Sequence, residues 1–220
     1  MTARRDPPNG RRPDAATRER LLAAATRLFA QHGFNAVSVR DIVRAARANV
    51  AAVNYHFDGK LGLYREVVRS AVQAMRAGDD AFLDTAGGVS PEDQLRTYVL
   101  GYLPRLASID DRTAWIHDLM RHEMSEPTAL APWIAEHGIM PRIEFLMGVV
   151  SKLLDCKPND KRVGHCVMSI QAQCLFYRPD RFRTAAALKG WPVSESELAH
   201  VADHIIEFSL AGIKHIATLR

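Results

Sequence analysis

Between Val37 and Phe57 the chain reads VSVRDIVRAARANVAAVNYHF, and no other stretch constrains the fold as strongly. It divides into two short helical segments joined by a tight turn. Ser38 is suited to cap the first, with Asp41 three residues on giving a weak capping-box pattern. Val39, Ile42, Val43 and Ala46 can then face inward. Asn49 is an equally good cap for the second segment, which ends near Phe57 at the Asp58-Gly59 turn signal. That second segment is the wrong kind of helix for a protein core. Asn49, Asn54, Tyr55 and His56 give it a hydrogen-bonding and aromatic edge, while Ala51 and Ala52 are small enough for close approach. Such an edge fits a surface with its own pattern of donors and acceptors, and the major groove of DNA is the commonest one.

Charge is distributed in the same sense. The 220 residues carry a net charge of +4. Residues 1–69 hold thirteen Lys and Arg against six Asp and Glu, a net +7, and the remainder holds sixteen against nineteen, a net −3. A basic front end on a mildly acidic remainder is expected of a nucleic-acid-binding head on a body with another task. Cys156, Cys166 and Cys174 form neither a metal pattern nor an even-numbered disulfide framework, which suits a reducing cytoplasm. The longest stretch without Asp, Glu, Lys or Arg is Val163 to Tyr177, fifteen residues. That is short of the roughly 18–20 apolar residues a membrane-crossing helix needs. No membrane association and no signal peptide are expected.

Beyond the basic start the chain reads as helix throughout, with no alternation of strand type, so the expected class is all-α. Residues 1–13 read as a disordered basic tail, 14–69 as a helix-turn-helix head and 70–220 as a larger helical body. The first helix should run from about Ala15 to Gln31 on a stripe of Leu21, Leu22, Ala25, Leu28 and Phe29, stopping at Gly33. A fourth should extend from about Lys60 to Met75 or beyond. Thr85 to Ser90 is the expected hinge into the second part, and Ser90-Pro91-Glu92-Asp93 is a strong helix start. Further helices are expected near 91–108, 111–125, 128–153, 160–177 and 195–218, with a short one near 179–188.

The apolar first helix, the helix-turn-helix ending in Asn54-Tyr55-His56-Phe57, and Lys60 and Leu63 opening the next helix together resemble the TetR family of transcriptional regulators. The run from Asn49 to Phe57 followed by Gly62-Leu63-Tyr64 is similar to the CecR-type branch, as is the stretch Arg121-His-Glu-Met-Ser-Glu-Pro-Thr128. Two positions depart from the pattern. Arg47 stands where a glycine is usual, and a left-handed residue with a side chain there costs about 1 kcal/mol. Leu61 stands where an acid is usual.

The resemblance implies that the third helix enters the major groove. Asn49, Val50, Ala51, Ala52 and Asn54 are then the candidates near base edges, Asn54 being able to donate and accept at once as adenine requires. Tyr55 and His56 are expected on phosphates, and Phe57 in the packing of the head. Lys60, at a helix start, makes a further phosphate site, and Ser38 with Arg40 should grip the opposite backbone. Arg4, Arg5, Arg11 and Arg12 are expected to reach along the DNA backbone or into a minor groove. The resemblance further implies a homodimer, a repressor role and an operator that is an inverted repeat, since a two-fold axis places recognition helices roughly 34–36 Å apart.

In the body, the uncharged helix from Val163 to Tyr177 and the apolar helix near 198–219 are expected to serve both the core and a four-helix dimer interface, with Val167, Ile170, Cys174, Ile205, Phe208 and Ile213 at the interface. Trp115, His117, Met120, Arg121, Met124, Phe145, Gln171 and Gln173 are the candidates for a pocket holding a small hydrophobic effector, with Trp133, Met140 and Met147 as further apolar groups. Helical core supplies the same residue types, and a DNA-bound scaffold answering to a protein partner, without a pocket, is the alternative. No nucleophile elbow, P-loop or dinucleotide fingerprint is present, so no enzyme and no cofactor are expected. The pairs His200/His204 and His117/His122 with Glu123 lack a third ligand in a matching frame, so no metal is expected.

Overall fold

The computed structural model describes residues 11–84, 88–107, 111–178 and 194–219, and every described element is helical. The order is α1 (Arg11–Ala36), α2 (Val39–Ala46), α3 (Val50–Phe57), α4 (Gly59–Leu83), α5 (Pro91–Ala107), α6 (Asp111–Ser125) and α7 (Ala131–Ile134). A π-helical turn, Ala135–Ile139, leads into α8 (Met140–Leu153), followed by α9 (Lys161–Phe176) and α10 (Glu195–Thr218). No described helix is long and apolar enough to cross a membrane. The short helix expected near 179–188 lies outside the described residues, as do residues 1–10 of the basic tail. Arg11, Arg12 and Pro13 belong to the start of α1 instead; Pro13 sits in the first turn, where the missing N–H has no helical partner to lose.

The chain divides into two compact units: Met1–Ala71 with Ala114–Pro132, and Val72–Thr113 with Trp133–Arg220. Residues 85–87 of the expected hinge lie outside the described residues. Ala114–Pro132, read from the sequence as body, falls in the first.

In the first unit, α1 buries Leu21, Ala25 and Phe29 on one stripe. At Gly33 it leaves helical geometry, with φ 76° and ψ 170°. An added Cβ there would come within 3.0 Å of His122 Nδ1, so glycine answers both the backbone and the close approach. Tyr64 is fully buried, edge-on to Phe29 with centroids 4.8 Å apart. Its hydroxyl donates to the buried carboxylate of Glu123, which also accepts from the Thr128 amide (3.1 Å) and hydroxyl (2.8 Å). Burial, and then the Glu123 carboxylate, push the Tyr64 phenol well above its ordinary pKa. A buried carboxylate is stable only with its lone pairs answered, and here the answering groups come from α4 and from the segment after α6. That network, with the Asn35 amide donating to Glu126 at 3.2 Å, is why Ala114–Pro132 joins this unit.

The second unit is a helical bundle. Leu95, Tyr98, Val99, Leu146, Ile170 and Ile205 bring α5, α8, α9 and α10 into one core. Ser90 caps α5 as expected, its hydroxyl accepting from the Asp93 amide at 3.1 Å. Ser194 caps α10 through a full capping box with Glu197. The 128–153 helix of the sequence reading appears as α7, the π-helical turn and α8.

Candidate nucleic-acid interface

The helix-turn-helix is built from local chemistry. Ser38 caps α2 with both halves of a capping box: the Asp41 amide donates to Ser38 Oγ at 3.2 Å, and the Ser38 amide donates to the Asp41 carboxylate at 3.1 Å. The Ser38 hydroxyl donates to the same carboxylate, and these bonds hold the Asp41 carboxyl below its usual range. Ile42 and Ala46 are buried. Arg47 then takes the left-handed conformation, φ 51° and ψ 50°, as the C-cap of α2. The strain expected of a residue with a side chain at that turn is therefore present. Arg20 Nε donates to the Ala46 carbonyl at 3.2 Å, answering one of the free carbonyls at the end of α2.

Asn49 caps α3, its Oδ1 accepting from the Ala52 amide at 2.8 Å. Val53 and Phe57, four residues apart on one face, are buried and hold α3 to the head, with the Arg18 guanidinium 5.1 Å from the Phe57 ring centre. The other face is free. Tyr55 is 77% exposed and Val50 47%, and Ala51 and Asn54 are also exposed. Asp58, left-handed at φ 57°, ends the helix by donating its amide to the Asn54 carbonyl at 3.0 Å. Gly59 follows at φ 90°. A Cβ on Gly62 would lie 1.6 Å from the Phe57 carbonyl oxygen. Only glycine lets α4 start so close against the end of α3.

Val50, Ala51, Asn54 and Tyr55 thus share one open face, with exposed Asn49 at its head and half-buried Ala52 at its margin. Three of the expected phosphate contacts have partners within the head. The His56 side chain is 8% exposed, with Nε2 3.2 Å from Asp14 Oδ1; it ties α3 to α1 and does not present its ring. Lys60 lies over the Phe34 ring at 4.2 Å, and burial lowers its pKa. The Ser38 hydroxyl is engaged by Asp41, while Arg40 is exposed. Two exposed cations close in sequence to Asn49 are not among the expected DNA contacts: Arg44, paired with Asp41 at 3.7 Å, and Arg47, expected only to strain the turn. Their signal was the basic content of the turn.

The eight expected pocket residues are divided between the two units. Trp115, His117, Met120, Arg121 and Met124 belong to the first unit, and Phe145, Gln171 and Gln173 to the second. Met124 is 72% exposed, and Arg121 is exposed and paired with Asp118 at 2.9 Å. The Gln171 amide donates to the Tyr98 hydroxyl, and Phe145 stacks on the Tyr98 ring at 6.3 Å. Gln173 donates to the Ser169 carbonyl and to Ser209 Oγ, each at 3.3 Å. Two recesses of about 530 and 480 Å³ in the second unit are lined from α5, α8, α9 and α10, and none of the eight lines either.

Val167, Ile170, Cys174, Ile205 and Ile213 are all buried in the protomer's own core. With 3.6 residues per turn, 163, 167, 170 and 174 form the inward stripe of α9. Met168 (66% exposed), Leu175 and Phe176 lie outside it, and of the six expected residues only Phe208, on α10, is open, at 63%.

A helix-turn-helix whose second helix turns a polar, small-residue edge to solvent defines a DNA-binding transcriptional regulator rather than an enzyme. Residues 21–67 match the profile of "Bacterial regulatory proteins, tetR family", and residues 91–213 that of "HTH-type transcriptional dual regulator CecR, C-terminal domain". The chain belongs to the TetR family of transcriptional regulators, in the branch with a CecR-type C-terminal domain. It is 22% identical over 196 residues to the HTH-type transcriptional dual regulator CecR of Shigella flexneri, covering 86% of this chain and 87% of that one. It is 31% identical over 88 residues to the probable HTH-type transcriptional regulator YttP of Bacillus subtilis, a match spanning 40% of this chain and 42% of YttP. Among solved structures, the hemolysin II transcriptional regulator HlyIIR superposes with a TM-score of 0.57 at 20% identity, covering 87% of this chain and 97% of HlyIIR.

Proposed function

We propose that the protein is a homodimeric repressor that binds an inverted-repeat operator and is released by a small ligand. The observation behind this reading is the exposed face of α3: Val53 and Phe57 anchor the helix while Val50, Ala51, Asn54 and Tyr55 face outward, unused by the fold. Asn54 is the adenine reader, Tyr55 a phosphate contact, and Arg40, Arg44 and Arg47 supply the positive charge that phosphate binding needs. His56 serves by fixing α3 to Asp14. The second copy covers the outward apolar side of α9 and α10, where Met168, Phe176 and Phe208 would otherwise stand in water. Structures of this fold include a regulator from Saccharomonospora viridis in complex with choline and AibR in complex with isovaleryl coenzyme A and operator DNA. Those complexes support the ligand-binding part of this reading for this chain.

Footprinting of the purified protein on the DNA upstream of its own gene tests the proposal. Two protected half-sites about one helical turn apart are expected, lost on addition of an effector. A single unpaired half-site, or no protection in any upstream region, would overturn it. Phe208→Glu should convert dimer to monomer in sedimentation without lowering the protomer's helicity; an unchanged dimer would remove α10's outer face from the interface.

A further inference from the structure

The second unit contains a charged cluster that packing alone does not explain. Arg142, on α8, is 8% exposed. Its Nη1 donates to the Gly138 carbonyl at 3.1 Å and reaches Asp79 Oδ2 at 3.4 Å. Asp79, on α4 and itself buried, is held more tightly by Arg105, whose Nη1 lies 2.7 Å from Oδ1. Arg142 therefore has the weaker share of a divided carboxylate. Its bonds to Gly138 and Asp79 both leave from Nη1 and it also bonds the Tyr102 side chain, while Nε is buried with no partner among the described residues. A guanidinium withdrawn from water costs several kcal/mol unless its donors are answered. An orphaned Nε–H is the group that a second carboxylate would take in a side-on, two-point contact.

The groups beside the guanidinium are aromatic. The guanidinium lies over the Tyr102 ring at 4.9 Å. Tyr102 meets Tyr98 at 5.5 Å, and Tyr98 stacks on Phe145 at 6.3 Å. Beside the guanidinium the chain leaves α-helical form at Ala135–Ile139, and single π-helical turns are frequent at functional sites. Gly138, inside that turn, is buried and would bring a Cβ within 3.2 Å of Val72 on α4. The irregular turn and the helix bearing Asp79 thus meet at the cluster.

We propose that Arg142 is the anchor for an anionic effector, a carboxylate or phosphate head on an apolar, partly aromatic tail, and that Asp79 stands in for that head until the effector arrives. The inference rests on the reading of the protein as a ligand-released regulator and names the chemistry of the ligand. The incoming anion takes the Nε edge, Asp79 yields its long contact to Arg142 while keeping Arg105, and the tail lies along Tyr98, Tyr102 and Phe145. Uncharged molecules of the same shape lack the head that the guanidinium requires.

The test is titration calorimetry on the full chain with matched probes: decanoate against 1-decanol, and 4-phenylbutyrate against 4-phenylbutanol. The acids should bind and the alcohols should not. Arg142→Met should weaken the acids by about thirtyfold or more, and Asp79→Asn, which removes the competing carboxylate, should strengthen them. Equal binding of acids and alcohols, or full acid affinity in R142M, would overturn the assignment. If R142M does not fold, D79N decides, and unchanged or weaker acid binding there also overturns it. Release from DNA by an uncharged drug, with no acid binding, defeats the anionic effector and leaves the ligand-released regulator standing. Acid binding that leaves the operator complex intact does the reverse.

Discussion

α3, of eight residues, and α9, of sixteen, are fixed in opposite ways. α3 buries only Val53 and Phe57 and is positioned by its ends: the Asn49 cap, left-handed Asp58, and Gly62, where no side chain fits. α9 is positioned by its length, with Val163, Cys166, Val167, Ile170, Gln171 and Cys174 all buried. The buried surroundings of Cys174 push its thiol up to about 12, so it behaves as an inert core group. A helix held at its ends keeps one face free for a partner. A helix held along its length presents only what its core stripe leaves over, here Met168, Leu175 and Phe176.

That contrast can be broken or sharpened by substitution. Ile170→Ala should cost about 4 kcal/mol of unfolding free energy, read by chemical denaturation, because α9 depends on its buried stripe. A cost below about 2 kcal/mol would mean that the bundle collapses onto the gap. Gly62→Ala, a change of one methyl, should cost about 3 kcal/mol and also abolish operator binding, since α4 must move away from the Phe57 carbonyl. Retained binding would show that the α3–α4 junction is not what sets the pose of α3. Asn54→Ala should leave the denaturation midpoint unchanged and weaken operator binding by about 2 kcal/mol, with relaxed preference at one base pair. A fall in stability instead would place Asn54 in the packing. The smallest effect expected is a gain: Arg47→Gly relieves a left-handed side chain and should stabilise the fold by about 1 kcal/mol. Operator affinity should drop slightly with the lost cation, and no gain in melting temperature would mean that the turn holds Arg47 without strain.

Local signals were legible in the sequence and distant ones were not. Ser38, Asn49 and Ser90 marked the starts of α2, α3 and α5 because a capping side chain acts within three residues. The exposed edge of α3 could be read because polar and small residues there have no use in a core. The face of α9 could not, since both of its sides are apolar and composition does not tell the inward stripe from the outward one. The His56–Asp14 pair joins residues far apart in sequence, as does the Tyr64–Glu123 bond that draws Ala114–Pro132 into the first unit. Each partner alone reads as an ordinary polar residue. The Arg142 cluster was hidden for the same reason: Asp79, Arg105 and Arg142 sit on three helices, and each resembles a surface charge until folding buries two of them.

Because nothing in the head leans on the outward side of α3, its vocabulary can be rewritten without renegotiating the scaffold. Residues 50, 51, 54 and 55 can be exchanged as a set, and Val53, Phe57 and Gly62 will still hold the altered helix in the same pose. On the proposed reading, a change of operator becomes a matter of the side chains at 50, 51 and 54, and variants bearing new ones should fold as readily as the parent.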